Sequence, residues 1–377
     1  MRLRKNVIVF LLTGVIVFAI SSCKKDKDEE VLPEDSFDKS GMLANIGDNL
    51  ILPAYAKLKL SMDSLQLSNN LFTANPTLLT LTELQAKFTQ AYINYQWCST
   101  YEFGPAESEV VRANFNTFPC DTIQINSNIS SGIYDLASAA NIDAKGLPAI
   151  DFLLYRSNQD NNYILSLFTT SISASNAKNY LTALVNELKI KTDAVNTAWS
   201  STGGNYINTF KSSTGSDVGG SIGMLVNQLN YDFELLKNAK IGIPLGKKTL
   251  GVALPEKVEA YYSTQSIALV LEHIKSIENI YLGRDIQNSD GLGLDDYLDH
   301  VGAQYGSGSL NNAIKNKLTT AKTKLIAIPG TLSQAVIANT TIVDNAYAEL
   351  QQLVILLKVD MPSSLGVLIT YVDSDGD

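Results

Sequence analysis

Apolar residues recur at spacings of three and four along most of the chain, the period of helices that each bury one face. Leu43, Ile46 and Leu50 start one stripe, which Pro53 is expected to kink. Leu84, Phe88, Ala91, Tyr92 and Tyr95 form a second, entered through Thr80-Leu81-Thr82-Glu83 as a capping box and stopped at Gly104-Pro105. Further stripes are Leu181, Leu184, Val185 and Leu188, leading on to Trp199, and Ile222, Leu225, Val226, Leu229, Phe233 and Leu236. Pro255 and Glu256 suit the first turn of the helix carrying Ile267, Val270, Leu271, Ile274, Ile277 and Tyr281, with Gly283 just past its end. Leu310, Ile314, Leu318 and Leu325 come next, followed by a last run over 333–357. Alternating apolar and polar runs joined by Asn-Gly or Asp-Gly turns are missing. The expected fold is all-α: two up-and-down helical bundles packed together with a cleft between them. The Gly/Ser-rich stretch over 200–223 is the best boundary, giving one bundle over 39–205 and another over 206–377.

The first residues break this pattern. Arg2, Arg4 and Lys5 precede an apolar run over 7–20, which ends in Ile20-Ser21-Ser22-Cys23. That arrangement resembles a bacterial lipoprotein signal over 1–22, with Cys23 as the lipidated first residue of the mature chain. The charged run Lys24-Lys25-Asp26-Lys27-Asp28-Glu29-Glu30 opens a solvated tether over 23–38. The expected location is the outer membrane or cell surface, held by the lipid and facing the periplasm or the exterior.

Charge and cysteine count narrow the chemistry. With 29 Lys+Arg against 38 Asp+Glu, the formal net charge is −9, which excludes a basic nucleic-acid binder. Three Cys and two His are too few for a Cys/His zinc finger or an iron–sulfur protein. Cys98 and Cys120 remain after lipidation, either as a disulfide or as two buried thiols.

Catalytic motifs are weak. His273 follows Glu272, but no second His lies four residues away, so a helix-surface or core histidine is the expectation. His300 sits near Asp295, Asp296 and Asp299 and reads as part of an acidic loop. Gly219-Gly220-Ser221-Ile222-Gly223 fits Gly-x-Ser-x-Gly, yet a polar loop replaces the strand that a nucleophile elbow needs, so Ser221 reads as a helix cap. Asp373, Asp375 and Asp377 are spaced like the start of a calcium loop, with no distal Glu. Seventeen Tyr include Tyr92, Tyr95 and Tyr281 on core stripes, so most read as packing residues.

Four segments in order resemble one family. They are Tyr95-Gln96-Trp97 with Tyr101-Glu102-Phe103-Gly104-Pro105, then Gly146 through Tyr155, then Ile241 through Gly246 with Pro255 through Ser263 and Tyr281-Leu282-Gly283, and last the terminus from Leu365-Gly366-Val367. Together they resemble the imelysin family, also called insulin-cleaving membrane protease-like or iron-regulated lipoproteins. The resemblance implies two helical bundles with a site between them, an anchored envelope protein, and a link to iron or haem uptake and its components. Iron, haem or zinc are the ligands it brings into view, and founding members are assigned as metallopeptidases.

The family signature is Gly-x-His-x-x-Glu. This chain keeps Gly146, but Pro148 stands where the His belongs and Asp151 where the Glu belongs. A two-ligand helical pair is reduced to one carboxylate. The expected ligand-binding residues are Glu102, Asp151, Tyr155 and Arg156, with Glu102, Asp151 and Tyr155 facing one inter-bundle cleft. The reading is a binding or accessory protein of iron or haem uptake. The alternatives are a metal-dependent peptidase and a non-catalytic interaction module with a decayed site.

Overall fold

A computed structural model describes residues 37–371. The signal, Cys23, most of the tether and the terminal aspartates lie outside the described residues. The chain joins the fold at Phe37, whose ring stacks on Tyr297 with centroids 4.7 Å apart. Asp38 then caps the first helix, accepting the Gly41 N–H at 2.7 Å.

The fold is all-helical, as the periodicity predicts. Among the described residues the only strand pairing is the two-residue hairpin Gln304–Tyr305 with Gly308–Ser309. In one group of helices, Leu52–Ala74 packs on both Leu78–Gln96 and Ala174–Trp199. In another, Leu310–Ile326 packs on Thr340–Ile355 and on Ser266–Tyr281. The groups meet where Ser266–Tyr281 lies against Leu78–Gln96. Asn45, early in the chain, also reaches across, donating to the Gly283 and Leu292 carbonyls at 2.8 and 3.0 Å. The buried faces merge into one apolar core.

At Pro53 the first stripe departs from regular α-helix. The helix widens to a π-helical stretch over Ile46–Ile51, and Leu52–Ala74 continues it. The same device recurs at Leu236–Gly242 before Pro244 and at Leu356–Asp360 before Pro362. Proline lacks an N–H and its ring crowds the carbonyl four residues back, so a wider preceding turn relieves the clash.

Several local expectations shift. The second stripe begins a turn early at Leu78, capped by Thr77 with Thr80 as its box partner. Leu79 is exposed, so the apolar pattern could not mark that turn. This helix also ends early, at Gln96, and a short turn over Ser99–Tyr101 follows. Gly220, not Ser221, caps the next long helix, and Ser221 is its buried first residue behind a loop. Pro255–Lys257 is an isolated turn, and the helix expected there starts only at Ser266. Asp295, Asp296 and Asp299 lie on a helix, Leu294–His300, instead of a loop. Gly283 takes a φ of 62° past Tyr281, as its position predicts. Cys98 and Cys120 are free thiols.

Candidate functional site

Where the two groups of helices meet, a cavity of about 450 Å³ opens. Its walls come from elements that end or bend there. The turn after Leu78–Gln96 brings in Ser99 and Glu102, with Thr100 buried between them in sequence. Val110 adopts a φ of 52°, unusual for a β-branched residue, and turns the chain into Val111–Phe115, which carries Arg112. Asp232 comes from Ser221–Leu235, Lys240 from the wide turn after it, and His273 from Ser266–Tyr281.

Asp232 is the hub. Its Oδ2 accepts from Thr100 Oγ1 at 2.7 Å and Ser99 Oγ at 3.0 Å, and lies 2.6 Å from His273 Nε2. Arg112 Nη2 stands 3.8 Å from Oδ1. Burial opposes a charge on Asp232, but His273, Arg112 and Thr100 outweigh it and hold its carboxyl well below the usual range. Burial dominates at His273 and lowers its proton affinity, with Lys240 adding to that. Nε2 therefore carries the hydrogen that the ionised Asp232 receives.

A second knot lies beside it. Lys240 Nζ donates to Gln96 Oε1 at 2.5 Å and pairs with Glu259 Oε2 at 2.9 Å. Glu259 Oε1 accepts from Asn116 at 2.7 Å and Gln96 at 3.1 Å, and Tyr92 holds Asn116 through a 2.6 Å bond.

The expected site residues do not converge. Glu102 lines the cavity, accepts the Arg112 N–H at 2.9 Å, and is pushed up to about 7, chiefly by burial. Asp151 lines a separate crevice of about 20 Å³ beside Pro148 and Cys120. It is buried and accepts the Tyr262 and Ser263 N–H groups at 2.9 and 3.1 Å. Burial raises it to about 7 against those bonds. Tyr155 points its hydroxyl at the Gln85 carbonyl, 3.2 Å away. Arg156 lies over the Phe152 ring at 3.3 Å, in a third hollow.

The signature turn is thus a structural tie. Pro148 sits in the first turn of Gly146–Tyr155, as its residue type predicts. Gly146 has a φ of 76°, and a Cβ there would come within 2.6 Å of the Phe115 carbonyl oxygen. Asp151 fastens this helix to the loop over 258–265, and the same loop carries Glu259. Ser266 Oγ holds the Glu259 carbonyl at 2.5 Å. Ala260 and Thr264 take φ values of 50° and 60°, strain that these ties sustain.

Sequence reasoning passed over Arg112, Asp232, Lys240 and Glu259, and set His273 aside. A signal existed for two of them. Asp232 falls three residues after Leu229, and His273 three after Val270, so each polar group interrupts an apolar stripe.

The residues do not fit a directly held iron or zinc ion. Asp232 and Glu259 already face internal donors, and Arg112 and Lys240 bring positive charge. Among the described residues no three His, Cys, Asp or Glu side chains gather into a metal-binding cluster. Nor do they offer an imidazole to haem, because His273 Nε2 is bound to Asp232 and Nδ1 is buried.

An all-helical fold with a polar cavity between helix groups is the class that these features define. Residues 51–357 match the model of the imelysin family, Peptidase M75, and the chain belongs to that family. Two solved structures share the fold. One, from Parabacteroides distasonis, is named as an iron-regulated protein A precursor; it has a TM-score of 0.71 and 18% identity over 86% of this chain and 94% of its own. The other is an imelysin-like protein from Psychrobacter arcticum, with a TM-score of 0.67 and 15% identity over 88% of this chain and 97% of its own. None of the curated proteins matches the chain. Among the described residues no helix is long and apolar enough to cross a membrane.

Proposed function

We propose that this protein is a lipid-anchored envelope component of iron or haem uptake that holds its ligand in the Arg112–Asp232–His273 cavity and does not cleave peptides. The observation that carries this reading is the commitment of the site's carboxylates and imidazole to one another. A metallopeptidase needs a metal with an open position and an activated water. Here the groups that would hold the metal are locked in internal hydrogen bonds. The lipoprotein-like signal supports the anchor, and the iron-regulated name of the Parabacteroides relative supports the pathway.

The test is a titration of the mature protein with ferric citrate, a ferric trihydroxamate and haemin, followed by intrinsic fluorescence, beside a casein-cleavage assay with and without chelator. Saturable binding of an iron complex, abolished when Ala113→Trp fills the cavity, is the expected result. Chelator-sensitive cleavage, or no binding by any of the three, would overturn the reading.

A further inference from the structure

The cavity's hydrogen-bonding capacity is lopsided. Its main carboxylate is engaged, with Asp232 Oδ2 taking Ser99, Thr100 and His273, and Glu259 behind the wall takes Gln96, Asn116 and Lys240. Its donors are not all engaged. Arg112 uses Nη2 on the Ser99 carbonyl and Gln228, while its Nη1 makes no hydrogen bond among the described residues. Tyr95 and Tyr231 line the same space, and their hydroxyls make no hydrogen bond among the described residues. Burial keeps Tyr95 a phenol, hence a donor. The Tyr231 ring also carries the Arg112 guanidinium 4.8 Å from its centroid, which fixes the cation at the wall. A ligand that satisfies unmet donors must bring acceptors.

We infer that this cavity binds a small acceptor-rich organic anion, a di- or tricarboxylate, through the Arg112 guanidinium and the Tyr95 and Tyr231 hydroxyls. The inference rests on the cavity being the ligand site. Planar guanidinium suits carboxylate geometry, and the volume lies in the range of small-molecule sites.

Glu102 makes the binding proton-linked. It lines the same wall, where an ionised carboxyl would repel the anion. Facing it are Arg112 from Val111–Phe115, Asp232 from Ser221–Leu235, Glu107 from Pro105–Ser108, Tyr95 from Leu78–Gln96 and Tyr55 from Leu52–Ala74. Arg112 is the one cation of the set, and the incoming carboxylate claims it. Glu102 therefore takes up a proton as the anion enters, and affinity falls as pH rises.

Calorimetric titration of the mature protein with citrate, ferric citrate and a ferric trihydroxamate at pH 6 and pH 8 tests this. Citrate binding is expected to weaken about tenfold from pH 6 to pH 8, the change that one proton taken up near pH 7 produces. Glu102→Gln keeps an oxygen to accept the Arg112 N–H, so at pH 8 it should bind citrate as the unmodified protein does at pH 6. Tyr95→Phe should weaken citrate about five- to tenfold by losing one donor. A slope unchanged in Glu102→Gln overturns the inference. Binding of the trihydroxamate but not of citrate overturns it and leaves the iron reading standing. Citrate bound equally with and without ferric iron, and no binding of the trihydroxamate, supports the inference and removes iron from the function. No binding of any probe overturns both.

Discussion

Asp232 and Asp151 are both buried, and each ties together stretches far apart in sequence, yet their proton affinities move in opposite directions. Both lose hydration, which favours the neutral acid. Asp232 recovers the loss from two hydroxyls, an imidazole N–H and the Arg112 guanidinium, and stays ionised. Asp151 has two backbone amides as its closest donors, while the neighbouring Glu259 works against its charge. Burial alone does not decide the state of a carboxyl, since the charge and number of its partners do. In this chain the residue standing at the signature acid is a clamp, and the charged hub grew elsewhere.

The hardest test of that contrast is removal of the hub. Asp232→Ala strands Arg112 and His273 and leaves two buried hydroxyls without their acceptor. Breaking a buried ion pair from one side costs about 3–5 kcal/mol, so chemical denaturation should show a loss of that size. A loss below 1 kcal/mol would mean that the hub is not ionised. Asp151→Ala should cost less, about 2 kcal/mol, for two buried N–H groups left without an acceptor. Its damage should be local, with new protease cleavage within 258–265 before global unfolding. Cleavage spread along the chain would show that Asp151 supports the whole fold and not this loop.

The all-helical fold was legible because long stripes such as Leu225, Leu229, Phe233 and Leu236 repeat one period many times. Glu102, which lines the candidate cavity, was legible because it lies beside the Gly104-Pro105 break. The rest was hidden for physical reasons. The loop over 258–265 reads as helix because Pro255-Glu256 is a good first turn, and distant ties, Asp151 to its backbone and Gln96 and Asn116 to Glu259, hold it open. Arg112 and Lys240 carry no local mark, since their role depends on partners more than 100 residues away, Gln228 and Asp232 for one and Gln96 for the other. The positions standing for the signature His and Glu drew attention to Asp151, whereas the histidine that does sit in the cavity is His273, on another helix.

Titration sharpens the contrast further. Asp151 has a folded-state value of about 7 against an ordinary 3.8, and Glu102 about 7 against 4.5. In both cases the folded state holds the proton more tightly, so their contribution to stability is largest in acid and is lost as pH rises through 7. Each should cost roughly 1.4 kcal/mol between pH 6 and pH 8. Unfolding free energies at those two values should differ by both shares in the unmodified protein, and by one share in Asp151→Asn or Glu102→Gln. A difference that survives both substitutions would assign the titration to other groups.

The smallest expected effect bears most directly on what holds Asp232 ionised. Thr100 is fully buried and gives Asp232 a 2.7 Å hydrogen bond, but it carries no charge. Thr100→Val keeps the shape and deletes that one donor. If the neighbouring Arg112 and the His273 N–H do most to hold the aspartate ionised, the change should cost about 1 kcal/mol at pH 7. It should also move acid unfolding to slightly higher pH, because Asp232, whose contribution is lost as pH falls, would protonate sooner. A loss as large as that of Asp232→Ala would reverse the ranking. The hydroxyls would then be the chief support of the charge, and the difference between Asp232 and Asp151 would come from the number of donors and not from their charge.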